Sequence, residues 1–263
     1  STAFAERWFE VEVLIFKQPF APYLQEDFSL KHDAIEDKNT LDLLSPVYKS
    51  QAMDACINGD PRFQKRTFAD TLVNSNPQSA ACNDSIDYVK SYDVLPVIPQ
   101  APAQETMEQT YLLAPEQLQF QSQRQALNRK GLTPLLHTGW RFEGASKSRS
   151  PSIHLFAGSQ LKNNINTTIS YADSDFISLI NTPEPLFDEV QSPEMKWELD
   201  GLFKIHLRHY LFINAHFDIN ERRDNGDLES ARFSQFRRVF SEDIHYFDHP
   251  RMGMIVQIRK FNH

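Results

Sequence analysis

From Trp197 to Asn220 the chain alternates with period two. The odd positions read Leu199, Gly201, Phe203, Ile205, Leu207, His209, Leu211, Ile213, Ala215, Phe217 and Ile219, while Glu198, Asp200, Lys204, His206, Arg208, Asn214, His216 and Asp218 fill even ones. Such a pattern puts one side of an extended strand against a core and the other toward water or a ligand, whereas a helix would scatter the apolar residues around its axis. The pattern runs for about twice the usual strand length. It therefore predicts one long curved strand, or two strands sharing a bend near Arg208–Tyr210. Leu202, Tyr210 and Phe212 interrupt the polar side. A strand of this kind needs partners on both edges.

Those partners are present in the sequence. WFEVEVLIFK, from Trp8 to Lys17, sets Phe9, Val11, Val13 and Ile15 against Glu10 and Glu12 and stops at Pro19, a β-branched pattern with a proline end. Pro134–Phe142 and Ser152–Gly158 read as strands joined by a flexible Glu143–Ser150. After the central stretch, Asp224-Asn225-Gly226 forms a turn. A return strand from Ala231 leads through Val239 to Phe247, Asp248-His249-Pro250 turns, and Met252–Phe261 closes the chain. Consecutive antiparallel hairpins make this third a β-meander gathered into a single sheet. Pro115, suited to a first helical turn, opens a helix that ends at Gly131 and covers one face of the sheet.

The expected fold is thus α+β: a mainly antiparallel β-sheet or meander with long strands, at least one helix packed on it, and a long loop-rich insertion. Residues 1–18 supply an N-terminal strand of the main sheet, 19–111 the insertion, and 112–263 the main α+β domain. The insertion lacks periodicity, and Asn74–Gln78 and Pro96–Ala103 read as loops. It holds both cysteines, Cys56 and Cys82. In an oxidising compartment they pair as a disulfide; the alternative is two unrelated buried thiols.

Net charge of -8 across 263 residues disfavours a broad nucleic-acid surface, which needs clustered Lys and Arg. No window has the length and apolarity of a membrane helix. Ala3-Phe4-Ala5 fits the small-residue pattern before a signal-peptidase cut, with a chance match as the alternative; if the pattern is a cut site, the chain is exported with its signal peptide removed. No GxSxG elbow, P-loop or GxGxxG is present. With 35 acidic residues, a carboxylate pair of the glycosidase kind carries no information. His206 and His216 share a strand face that His209 does not. His245 and His249 straddle a turn instead of one helix face, so neither set forms a metal site. No cofactor is expected.

WFEVEVLIF near the start, LLHTGWR in the middle, LDGLFKIHLRHYLFIN, and FRRVFSEDIHYFDHPRMGMIVQI at the end resemble the CsiV family of periplasmic peptidoglycan-binding proteins. The resemblance covers Trp8–Phe16 and most of Pro115–Phe261. It implies a non-enzymatic periplasmic protein of Gram-negative bacteria that binds peptidoglycan and supports cell-wall synthesis with the lipoprotein activator LpoA and a class A penicillin-binding protein. A wall-modifying hydrolase and an interaction scaffold without glycan affinity are the alternatives.

Peptidoglycan offers sugar rings with apolar faces and peptides with carboxylates, for which aromatic platforms and arginine forks are suited. Trp140 beside Arg141, and the cluster Arg237, Arg238, Glu242, His245, Tyr246, Asp248 and His249, have that chemistry. Core filling is the competing role for Trp140. Extended backbone puts Arg237 and Arg238 on opposite faces, and a structural salt bridge to Glu242 or Asp248 is the competing role for one of them.

Overall fold

A computed structural model describes residues 7–19, 34–64, 82, 86–162 and 195–262. The strands are β1 (Trp8–Lys17), β2 (Thr40–Asp42), β3 (Tyr111–Leu112), β4 (Thr133–Glu143), β5 (Ser152–Lys162), β6 (Met195–Leu207), β7 (Leu211–Arg222), β8 (Leu228–Val239), β9 (Ile244–His249) and β10 (Met252–Phe261). The helices are α1 (Leu44–Ile57) and α2 (Gln121–Arg129).

β1 pairs antiparallel with β10 on one side and β4 on the other, so Val13 lies between Val256 and Thr138. Its odd residues Phe9, Val11, Val13 and Ile15 share one buried cluster with Phe203, Ile205, Ile213 and Phe217 from the central stretch. That stretch is a hairpin. β6 ends at Leu207 and β7 begins at Leu211, and these two residues are paired. A three-residue turn leaves them on the same face, which is why the odd-numbered apolar series runs through it in phase. Gly201 lets the hairpin close, because a Cβ there would sit 2.0 Å from the carbonyl oxygen of His216.

The expected single sheet is two. The first has the order β3-β4-β1-β10-β9 and the second β2-β5-β6-β7-β8. The chain leaves the second sheet after Val239, and β9 and β10 return to complete β1, whose open side β10 pairs over ten positions from Trp8–Phe261 to Lys17–Met252. Glu242 makes the crossing turn with φ 73°. The sheets pack face to face, with Trp140 of the first meeting Phe203 of the second edge-on at 5.4 Å. Among the described residues, all strand pairings are antiparallel except β2 with β5.

The expected continuous helix from Pro115 to Gly131 is broken. Pro115–Gln117 forms a 3-10 turn and α2 starts at Gln121. Between them the backbone N–H groups of Gln119 and Phe120 donate to Oε1 of Glu12 at 2.8 and 2.7 Å, a bond that pulls the chain off the helical path. Phe120 and Leu127 then cover Leu14 and Phe16 on the outer face of the first sheet. Gly131 ends α2 with φ 72°.

In the 19–111 region α1 contradicts the absence of periodicity. Leu44, Tyr48, Ala52 and Cys56 recur every four residues and are buried, a one-sided helical stripe. Tyr48 meets Phe156 of β5 at 6.0 Å. Cys56 and Cys82 form the expected disulfide. The readings made at Ala3-Phe4-Ala5, at Asn74–Gln78 and over most of residues 159–196 lie outside the described residues.

Candidate functional site

The outward side of the second sheet carries the even residues of the central hairpin. Register fixes who meets whom: His206 faces Phe212, which faces Arg238; in the next row Lys204 faces Asn214, which faces Phe236. Diagonal neighbours on one face are within reach of aromatic side chains. Phe212 and Phe236 accordingly lie 5.6 Å apart and 4° from parallel, His206 and Phe212 5.2 Å and 12°, and His206 and Phe236 6.1 Å and 16°. Three strands thus display one ladder of nearly parallel rings.

Beside the ladder, Arg238 spreads over Tyr210 at 4.7 Å and Phe240 at 5.3 Å. Phe236 is 60% exposed, Tyr210 47% and Phe240 48%. Clustered rings left open to water mark an interaction surface. Stacked faces suit the C–H side of a pyranose, and the adjacent guanidinium suits a carboxylate. His206 is buried within the ladder. Burial first, then Lys147 and Lys204, holds its pKa below the usual histidine value, so the ring stacks as neutral imidazole.

Of the candidate binding residues singled out from the sequence, Arg238 lies beside this ladder and the others lie elsewhere. Trp140 is 1% exposed in the core between the sheets, which leaves its indole no surface to offer a sugar. Arg141 is buried on the outer face of the first sheet, where it donates to Glu10 at 3.0 Å, the Tyr111 hydroxyl at 2.9 Å and the Gln104 carbonyl at 2.8 Å, and stacks 3.7 Å from the centre of the Phe261 ring.

Arg237 and Arg238 do point to opposite faces. Among the described residues neither reaches a carboxylate: Arg237 donates to the Tyr246 carbonyl at 2.8 Å and lies over Phe247. Gln235 donates likewise to the Asp248 carbonyl. Together they occupy outward carbonyls of β9, an edge that would otherwise be free to pair with another chain.

The remaining candidates are dispersed around β9. Glu242 accepts from the backbone N–H of Lys260. His245 Nε2 lies 3.1 Å from both the N and O of Phe240. Tyr246 stacks on Phe16. Asp248 accepts from Gln18 at 2.6 Å, and His249 Nδ1 accepts from the Arg251 N–H. Sequence reasoning missed His206, Phe212, Phe236 and Phe240 as a group. The interruption of the polar series at Tyr210 and Phe212 was its one visible trace. Among the described residues, no group of three or more His, Cys, Asp and Glu is placed to hold a metal ion.

The fold is a two-sheet β-protein that presents stacked, partly exposed rings beside an arginine, the makings of a binding surface. Over residues 1–261 the sequence matches the family described as peptidoglycan-binding protein, CsiV, and the chain belongs to that family. No curated protein and no solved structure matches the chain. Peptidoglycan lies outside the cytoplasm, so the family's ligand defines an extracytoplasmic workplace.

Proposed function

We propose that this chain is a non-enzymatic periplasmic protein that holds peptidoglycan glycan on the His206–Phe212–Phe236 ladder, with Arg238 receiving a carboxylate of the polymer. The observation that carries the reading is the near-parallel stack across three strands, with its outermost ring exposed. A ring on the surface of a folded protein gains its apolar contact only when a ligand covers it. Bound to the wall, the protein supports a class A penicillin-binding protein together with an LpoA-type activator; this part follows from the family resemblance.

The test is cosedimentation with purified sacculi. Wild type is expected in the pellet, and Phe236→Ala and Arg238→Ala each in the supernatant with unchanged thermal stability. Release of soluble muropeptides would replace the reading by a hydrolase, and absence from the pellet would leave only a scaffold. Polymerisation assays with a purified class A penicillin-binding protein and LpoA-type activator, with and without this chain, test the partnership: equal rates would remove it.

A further inference from the structure

At its β6 end the ladder abuts the connection between β4 and β5. Ser152 of β5 pairs with Lys204, so a continued β5 would set Ser150 opposite His206, but the chain there has curled into a turn at residues 146–150. The Ser150 N–H donates to the Ser146 carbonyl at 2.9 Å and its hydroxyl to the Ala145 carbonyl at 3.0 Å, which also accepts the Leu207 N–H from the end of β6 at 2.8 Å. Asn39 fastens the far side by donating to the Arg149 carbonyl at 3.1 Å. The turn is therefore fixed to the strand that carries His206, and it presents Lys147 to solvent.

Lys147 and Arg238 thus stand at opposite ends of the ladder. Burial first, then the charges of Lys147 and Lys204, hold the His206 pKa below its ordinary value, and no carboxylate enters that balance. Lys204 is already engaged by Asp37 at 2.8 Å. Among the described residues Lys147 reaches no carboxylate, and Arg238 meets only the faces of Tyr210 and Phe240, with no partner for its N–H groups. The next row, Lys204, Asn214 and Phe236, carries no acid on its strands. Asp200 and Asp218, the nearest acids on β6 and β7 of this face, form a cross-strand pair four residues beyond Lys204 and Asn214, about 13 Å along the strands. The ladder lies at the cationic end of the face.

We propose that Lys147 is a second anchor of the ladder, that the polymer lies across β6, β7 and β8 from Lys147 to Arg238, and that the surface selects glycan bearing carboxylates over neutral glycan. The inference rests on the wall-binding reading above and gives it a direction and a selectivity. From the turn to β8 is three strand spacings, about 15 Å, a span longer than one sugar ring. Stacking on Phe212 and Phe236 does not tell a charged pyranose from a neutral one. A carboxylate at either end adds a charge-assisted hydrogen bond, and two cations set apart on one line favour the chain that runs between them. Peptidoglycan glycan freed of its peptides carries a carboxylate on every second sugar, whereas chitin-type glycan of the same linkage carries none.

The test is calorimetric titration of the full chain with two probes, peptide-free peptidoglycan glycan and chito-oligosaccharide of matched length. Wild type is expected to bind the carboxylated glycan about tenfold more tightly at low salt, with the gap narrowing as salt screens the anchors. Lys147→Ala, at an exposed turn position, should weaken the carboxylated glycan about fivefold, leave chito-oligosaccharide unchanged and flatten the salt dependence. Lys147→Arg should restore both affinity and slope. Equal affinity of wild type for the two glycans overturns the selectivity. Lys147→Ala indistinguishable from wild type in affinity and salt slope overturns the anchor, and the ladder stands without it if Phe236→Ala still weakens both glycans. Loss of both glycans in Lys147→Ala with an unchanged melting temperature also overturns it, since the lysine would then shape the ladder instead of selecting charge. Phe236→Ala that leaves both affinities as in wild type removes the ladder reading, and the anchor with it.

Discussion

Glu12 and Arg259, 247 positions apart in the chain, meet at 2.9 Å beneath the segment that leads into α2. Glu12 is completely buried, and His137 Nε2 stands 2.8 Å from its other oxygen. Arg259 also forks onto Glu10, which holds Arg141 from the far side. Two acids and two arginines are therefore closed off from water on a face whose alternation alone would have left it wet.

Replacing Glu12 by Gln takes from Arg259 one of its two carboxylate partners and leaves it Glu10; removal of one partner of a buried pair costs about 3–5 kcal/mol, and the remaining partner sets the expected loss at the low end of that range. Burial raises the Glu12 pKa, but the bonds from His137, the Phe120 and Gln119 N–H groups and Arg259 outweigh it, and the net shift is below the ordinary 4.5. A carboxyl with a depressed folded value stabilises above its unfolded pKa and loses that contribution as pH falls through the folded one. Urea denaturation should thus show the widest gap between wild type and Glu12→Gln near neutral pH, closing in acid. A gap that does not depend on pH would mean that Glu12 acts through packing alone.

The alternation in β1, β6, β7 and β10 was enough to place the core, since period two assigns a face whatever the partner. It could not say what lies over the other face. Glu10 and Glu12 read as solvent-facing because their partners leave no mark in the pattern: Glu12 is held by backbone N–H groups of the segment covering it, which any residue but proline supplies, and Glu10 by Arg141 and Arg259, far away in the chain. The ladder was hidden for a related reason: Phe212 and Phe236 are neighbours only through the register of β7 with β8. Arg238 was singled out for its chemistry, and it lies beside the ladder. Trp140 was equally eligible and turned out to fill the core. α1 was legible, as a four-residue recurrence in a stretch judged irregular from its prolines and polar residues.

Gly201 is paired with Phe217 where β7 leaves no room for a side chain. An added Cβ would meet the His216 carbonyl at 2.0 Å and Phe217 Cα at 2.6 Å, both backbone atoms that no rotamer can move. Gly201→Ala should cost about 3 kcal/mol or more through overpacking. Gly226→Ala, in open space with φ 90°, pays only for its left-handed backbone, about 1 kcal/mol. Thermal melts of the two variants rank them directly, and equal shifts would show that the hairpin yields.

The disulfide joins the end of α1 to Cys82 across a separation of 26 residues. Closing a loop of that length restricts the unfolded chain by about 3–4 kcal/mol. Because Cys56 also packs in the main core with Tyr48 and Phe63, the loss on reduction should register in the whole-chain unfolding transition. Melting with and without a reductant, and of the Cys56→Ser, Cys82→Ser double variant, measures it. An unchanged midpoint in both would confine the bridge to local order.

His206 makes the ladder sensitive to acid. Its Nδ1 is buried without a hydrogen-bond partner, and its pKa is lowered by burial and then by Lys147 and Lys204. As pH falls below the ordinary value of 6.5, the unfolded chain takes up a proton that the folded one still refuses. Stability therefore falls with pH until the folded value is passed. His206→Phe keeps a ring in the stack and removes the proton, so the difference in denaturation midpoint between variant and wild type should widen from pH 7.5 to pH 5. Groups such as His216, also shifted downward, are present in both proteins and cancel in that difference. A constant difference across the range would show that the imidazole is accommodated in either charge state, and that the ladder owes nothing to its neutrality.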